Sequence, residues 1–256
     1  VDAAQGIEAQ TLANTYLALN ENAKALETYQ KVVNNYPNNA NRVDCLGRIG
    51  MLQYQAEKYD AALKTLDKVV REYPNTQQAK AALSTIKNIY MDKGTPDAYL
   101  TYANSVGNVK VSKTEQEDMI YQSAENKYMD EKYKDAEPGF KSYLAQFPTG
   151  KYSEKAEYYL ADCLMRMKDT TQAASYYYKV ASRPTGQYTE KALLNAGKAY
   201  QGKDNQKAIE MYSKLNQIAS TAANRNKAQI GLMNAYYDMD DYSNAISSAQ
   251  SILKTD

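Results

Sequence analysis

Two cysteines, Cys45 and Cys163, and no histidine at all decide most of the chemistry open to this chain. Without His, no side chain has an ordinary pKa near neutrality. Neither a Ser-His-Asp nor a Cys-His nucleophile pair can be assembled. Zinc centres need clustered Cys and His, and two cysteines this far apart in sequence do not form one. The acidic run Asp238-Met239-Asp240-Asp241 lacks the twelve-residue loop, with its Gly and closing Glu, that calcium requires. It reads as a solvated turn. No catalytic residue, metal or other cofactor is assigned, and the chain reads as a non-enzyme.

Tyrosine is the residue type that remains, with 25 Tyr against 2 Phe. A phenol offers an apolar body with a polar tip, which suits half-buried positions between packed elements. The 31 basic and 30 acidic side chains nearly cancel. A duplex-binding face needs concentrated positive charge to neutralise phosphates, so no nucleic acid partner is expected. With 43% hydrophobic and 24% charged residues in 256, the composition is that of a folded, water-facing chain. No stretch approaches the ~20 apolar residues that span a bilayer. Val1 to Leu19 read as ordinary helix with no leader before them, either as a trimmed start or as a piece of a longer chain.

The elements that must position the tyrosines come from a repeat. Ala25-Leu26-Glu27-Thr28-Tyr29-Gln30-Lys31-Val32-Val33 ends at Tyr36-Pro37, and Ala62-Leu63-Lys64-Thr65-Leu66-Asp67-Lys68-Val69-Val70 ends at Tyr73-Pro74. In that register a small residue recurs at Ala25, Ala62, Ala98, Ala136, Ala173, Ala208 and Ala245, at intervals of 37, 36, 38, 37, 35 and 37. Four residues later stand Tyr29, Leu66, Tyr102, Phe140, Tyr177, Tyr212 and Ala249. That spacing puts both positions on one helix face, where the small residue admits a neighbouring helix and the large one fills the space beside it. About twelve residues earlier, pairs such as Leu12-Ala13, Ile49-Gly50, Leu160-Ala161 and Ala196-Gly197 mark a first helix packed on the second.

Punctuation follows the same rhythm. Pro37, Pro74, Pro148 and Pro184 close second helices, where Pro cannot continue the helix. Thr95-Pro96 predicts an N-cap followed by Pro at the first helical position. Thr114 with Glu117 predicts a capping box. Pro138-Gly139 implies that its helix starts late, near Asp135, or is kinked. Residues 107–113 read as a loop, either a weak boundary between residues 1–106, with three repeats, and 114–256, with four, or an ordinary long turn. The whole is expected to be an all-α, right-handed α-solenoid of about seven helix-turn-helix repeats.

The pattern resembles the tetratricopeptide repeat, through Leu12-Ala13, Tyr16, Ala25, Tyr29 and Pro37. The period near 37 and the Tyr-Pro-Asn endings resemble Tol-Pal-associated and outer-membrane-assembly repeat proteins of Gram-negative bacteria. Tyr73-Pro74-Asn75, Ile89-Tyr90 and Tyr99-Leu100-Thr101-Tyr102 are similar to long repeat proteins of the Bacteroidetes. That likeness implies a periplasmic or outer-membrane-associated place.

The resemblance also implies a concave groove lined by first-helix residues: Met51, Tyr54, Lys80, Lys87, Tyr90, Tyr121, Glu125, Tyr128, Tyr158, Asp162, Arg166, Lys191, Lys198, Asn234 and Tyr237. Tyr54, Tyr90, Tyr128 and Tyr237 share one slot of the register, which gives either an aromatic ladder for a partner or a closed inner surface. The chaperone-tail clamp of the family is not expected, because its Lys and Asn positions carry Gln10 and Asn14. Cys45 and Cys163 read as small core residues beyond disulfide reach.

Three functions follow from this reading. The first is an interaction scaffold holding a protein or peptide segment in the groove. The second is an architectural or self-associating segment, with Ile246 and Ile252-Leu253 facing outward and supporting a homodimer through an uncapped C-terminal repeat. The third is a glycan- or RNA-binding helical module.

Overall fold

The computed structural model describes residues 2–107 and 109–254, so Val1, and Asn108 within the expected loop, lie outside the described residues. Among the described residues there are fourteen α-helices and no strand. Contacts divide the chain into two compact units, Val1–Ser112 and Lys113–Asp256. The first unit holds α1 (Asp2–Ala18), α2 (Asn22–Asn35), α3 (Arg42–Gln55), α4 (Tyr59–Glu72), α5 (Gln77–Asp92) and α6 (Pro96–Val106). The second holds α7 (Lys113–Met129), α8 (Tyr133–Gln146), α9 (Ser153–Arg166), α10 (Thr170–Ala181), α11 (Thr189–Tyr200), α12 (Asn205–Ile218), α13 (Ala222–Tyr237) and α14 (Tyr242–Leu253). In each unit helices pack on their sequence neighbours, and the first helices α3 and α5, α7 and α9, and α11 and α13 also touch. Each unit is thus a stretch of all-α solenoid.

The small-large pairs do the packing. Ala25, Ala62, Ala136, Ala173 and Ala208 have no exposed surface, and Tyr29, Leu66, Phe140, Tyr177 and Tyr212 are buried with them. Each such ring or aliphatic chain contributes roughly 2–3 kcal/mol by leaving water. Close approach is most demanding in the second unit. A Cβ added at Gly197 on α11 would stand 2.6 Å from the Tyr212 ring, and one at Gly231 on α13 would stand 2.5 Å from it. Tyr212 is therefore held between two glycines. Both cysteines are free and buried, and burial pushes their thiols up to about 11 for Cys45 and about 12 for Cys163.

Each helix pair turns on a single left-handed residue: Asn20, Glu57, Gly94, Glu131, Lys168, Gly202 and Asp240, with φ between 57° and 75°. In six of the seven, the next amide reaches back five residues, as Lys58 N–H donates to the Gln53 carbonyl at 2.9 Å and Lys132 N–H to that of Lys127 at 2.9 Å. This bond consumes a carbonyl that the helix end would otherwise leave open. The exception is the pair α11 and α12, where Lys203 and Asp204 both donate to the Tyr200 carbonyl. A side chain in the left-handed region costs roughly 1–2 kcal/mol, part of which glycine forfeits through its own unfolded freedom. Glu131→Gly and Lys168→Gly should each raise stability by about 0.5–1 kcal/mol, read as a later urea midpoint with an unchanged slope.

Three local expectations need correction or refinement. α7 begins at Lys113, which puts Thr114 inside the helix and leaves the Thr114–Glu117 capping box unformed. Glu117 Oε1 instead accepts from the Tyr143 hydroxyl and the Lys151 amide, both at 2.7 Å. α8 begins at Tyr133, not near Asp135, and Pro138 lies within it. The neighbouring Gly139 lets α7 come close, since a Cβ there would meet that of Ala124 at 2.8 Å. Thr95 and Pro96 do occupy the cap and first positions of α6, but the Thr95 hydroxyl donates back to the Tyr90 carbonyl at 3.4 Å.

Candidate functional site

In the first unit, α3 and α5 run beside each other and present residues at helical spacing to one shared surface. Gly47, Arg48 and Met51 from α3 meet Ala81 and Thr85 from α5 around a depression of about 190 Å³ floored by Leu66. Its walls are mostly carbon. Met51 is 40% exposed, and Lys80 is exposed and Lys87 half-buried on the same helix as Ala81. Tyr54 and Tyr90 sit at the far ends of these helices and are half-buried. The Tyr54 hydroxyl donates to Asp92 at 2.8 Å, which pushes its pKa up to about 12. Tyr90 packs on Tyr99 and Tyr102, with ring centres 6.3 and 6.2 Å away.

In the second unit, α7 and α9 form a seam of rings and charges. Tyr121 is 1% exposed. It lies flat on Tyr152 at 4.1 Å, and its hydroxyl donates to Glu125 at 2.8 Å. This corrects its place in the groove set: Tyr121 faces the core and offers no surface to a partner. Lys155 pairs with Glu125 at 2.5 Å and stands 5.5 Å from the rings of both Tyr121 and Tyr159, a geometry that adds a cation–π attraction.

The lower part of the seam is built the same way. Tyr128 stacks on Tyr159 at 4.3 Å and donates to Asp162 at 2.8 Å. The same oxygen takes Arg166 Nε at 2.8 Å, whose guanidinium lies 4.6 Å from the Tyr133 ring centre. Tyr158 is half-buried and packs against Tyr188 at 4.9 Å. Burial raises the phenols of Tyr121, Tyr128 and Tyr158, with the Glu125 and Asp162 carboxylates adding to it. Tyrosines raised in this way stay neutral and do not act as bases or nucleophiles. Apart from the buried Tyr121, the seam is a set of half-exposed rings fixed by internal bonds.

The remaining candidates stand apart from it. Lys191 and Lys198 are exposed on α11, and Asn234 and Tyr237 on α13. Tyr237 is 63% exposed and meets the exposed Tyr242 edge to face at 5.6 Å. The four tyrosines of the shared slot are therefore unalike. Three are half-buried with internal partners, and one is open.

Tyr152, Tyr159 and Tyr188 belong to the seam and were absent from the expected set. Two of them carry a signal in the sequence. Tyr152-Ser153-Glu154-Lys155-Ala156 and Tyr188-Thr189-Glu190-Lys191-Ala192 repeat one pattern, each tyrosine preceding a first helix. Tyr152 and Tyr188 are in fact the N-cap residues of α9 and α11.

A family model described as tetratricopeptide repeat matches residues 11–39, 44–76 and 155–185. Among solved structures, the C-terminal part of a TPR repeat-containing protein from Cytophaga hutchinsonii is 20% identical, with 96% of this chain and 95% of that one covered and a TM-score of 0.46. A tetratricopeptide repeat protein from Parabacteroides merdae is 13% identical, with coverage of 97% and 92% and a TM-score of 0.38. PilF of Pseudomonas aeruginosa is 14% identical, with coverage of 83% and 91% and a TM-score of 0.43. No curated protein sequence matches. The chain is an all-α repeat protein whose residues 11–39, 44–76 and 155–185 match the tetratricopeptide repeat, a kind of repeat that typically mediates contacts between proteins and usually serves as a non-enzymatic scaffold.

Proposed function

We propose that this chain is a non-enzymatic scaffold that holds a segment of a partner protein against the faces made by its first helices. The observation that carries the reading is the seam on α7 and α9, where Tyr128, Tyr158 and Tyr159 are half-exposed yet fixed by stacking and hydrogen bonds. Rigid rings bring contact area at low cost in side-chain entropy. The test is a photo-crosslinking residue placed at Tyr158 or Tyr90, compared with one at Tyr178 on the second helix α10. A partner captured at the first two positions and not at Tyr178 supports the proposal. Capture at all three alike, or only at Tyr178, overturns it. The periplasmic or outer-membrane-associated place is part of this proposal and rests on the sequence resemblance; cell fractionation tests it.

A second reading, self-association, is favoured by α14. Ile246 is 57% and Leu253 77% exposed, while Ile252 is half-buried. A second copy would cover that apolar face. Sedimentation should then show a concentration-dependent dimer that Ile246→Asp abolishes; a monomer at all concentrations removes the idea.

A further inference from the structure

Three of the seven left-handed corners are flanked alike, by a tyrosine three residues before and another two residues after. They are Tyr54 and Tyr59 around Glu57, Tyr128 and Tyr133 around Glu131, and Tyr237 and Tyr242 around Asp240. The reversal of the chain brings each pair together, with ring centres 6.1, 5.6 and 5.6 Å apart. What else holds them differs. Tyr54 and Tyr59 are half-buried, and the Tyr54 hydroxyl is bonded to Asp92 on α5. Tyr128 lies flat on Tyr159, and Tyr133 lies under the Arg166 guanidinium. Tyr237 and Tyr242 are the open pair, 63% and 52% exposed.

A base stands at that pair. The Tyr242 hydroxyl donates to Asp240 Oδ1 at 2.7 Å, a charge-assisted bond that already aims the phenol proton at a carboxylate. Removing an electron from a phenol makes that proton strongly acidic, so a positioned base that takes it as the electron leaves lowers the barrier. The neutral radical left behind carries its spin on the oxygen and on the ortho ring carbons. Two such radicals held in contact join before either meets another partner, because neither has to search.

We propose that Tyr237 and Tyr242 form a site of oxidative modification, where two equivalents of a one-electron oxidant, such as a high-valent metal complex, join the rings as dityrosine. Each phenol gives one electron to the oxidant and releases one proton, from Tyr242 to Asp240 and from Tyr237 to water. The two radicals form a carbon–carbon bond between ortho positions. Each joined carbon then sheds its hydrogen as a proton while the ring oxygen takes one up, which restores both hydroxyls. The net change is the loss of two hydrogen atoms. Closing the link asks only for rotation of two exposed side chains, which is fast. The product spans the corner and ties the end of α13 to the start of α14. This chemistry is independent of the scaffold reading.

The test supplies photogenerated tris(bipyridine)ruthenium(III), with persulfate, to the full chain at high dilution, where copies seldom meet. Brief illumination should give blue dityrosine fluorescence in a product that still runs as a single chain. Its mass should be lower by two hydrogen atoms, and peptide mapping should place the link between residues 237 and 242. Tyr237→Phe and Tyr242→Phe, both at exposed positions, should each cut the fluorescence by about tenfold. Asp240→Asn keeps a residue that tolerates the left-handed corner; it should slow the reaction severalfold, with the circular dichroism spectrum unchanged. The proposal is overturned if no dityrosine forms, if fluorescence is confined to covalent dimers, or if Tyr54–Tyr59 or Tyr128–Tyr133 links form as readily. Full yield after Tyr237→Phe, or an unaltered rate after Asp240→Asn, overturns it as well.

Discussion

Gly197→Ala and Gly231→Ala should each destabilise the second unit by about 3 kcal/mol, the upper end for overpacking a close-fitted core. Placing Ala in a helix normally gains up to ~1 kcal/mol over Gly, so the clash must overcome a favourable term. It does so because the Tyr212 ring has no direction of retreat. Moving away from a methyl at 197 drives the ring toward α13, where the space left by Gly231 is already used. The hydroxyl is tied as well, donating to Gln201 at 3.2 Å.

Gly47→Ala is the matched control, since the same substitution there meets open space and should stabilise by up to ~1 kcal/mol. Urea titrations of the three variants are expected to give opposite signs. A second check is coupling: Tyr212→Leu combined with Gly197→Ala should cost less than the sum of the two alone. Equal, small effects at all three glycines would refute the sandwich.

The second large effect is alkaline unfolding. Tyr29, Tyr121, Tyr143, Tyr177 and Tyr212 are fully buried, and burial is the first cause raising each phenol above its ordinary value of 10. For an acid whose charged form is disfavoured in the fold, the native state keeps its proton after the unfolded chain has lost it. The phenol contribution is therefore complete below pH 10 and falls as pH rises through the window between the two values. For Tyr212, raised to about 12, the loss across that window is about 3 kcal/mol.

The Cys45 and Cys163 thiols, raised from 9 to about 11 and about 12, add a decline of the same sign that begins one pH unit earlier. Several such groups within one unit act in the same direction, against a stability of only about 5–15 kcal/mol for a typical domain. Phenolate absorbance near 295 nm should rise in one cooperative step above pH 10, coincident with loss of the far-ultraviolet helix signal. Gradual phenol titration with helicity intact at pH 12 would refute it.

The helix rhythm was legible because it is written in side chains. Ala25, Ala62, Ala136, Ala173 and Ala208 must be small and the residues four later large for the helices to meet, and such positions stay visible through sequence change. The turns were not legible for the opposite reason. Glu57, Glu131 and Lys168 are helix-favouring residues that adopt a left-handed backbone, held there by main-chain bonds that any residue can make.

The candidate site fell between these cases. Register transfer placed the first helices correctly but could not separate Tyr121, which turns inward, from Tyr128 and Tyr158, which stay half-exposed. All three lie on helices where packing against the neighbouring helix decides what remains open. Likewise Glu117 had the spacing of a capping residue and went instead to Tyr143 and Lys151, because two donors from α8 and the segment after it outcompete one local amide.

The seven left-handed corners also bear on where the chain accepts chemical labelling. A reversal whose instructions reside in the main chain asks little of the genetic code, so Asn, Glu, Gly, Lys and Asp all serve at these corners within this one chain. A tag or dye attached through the exposed side chain of Glu57 or Lys168 would therefore leave the bonds that make the corner in place.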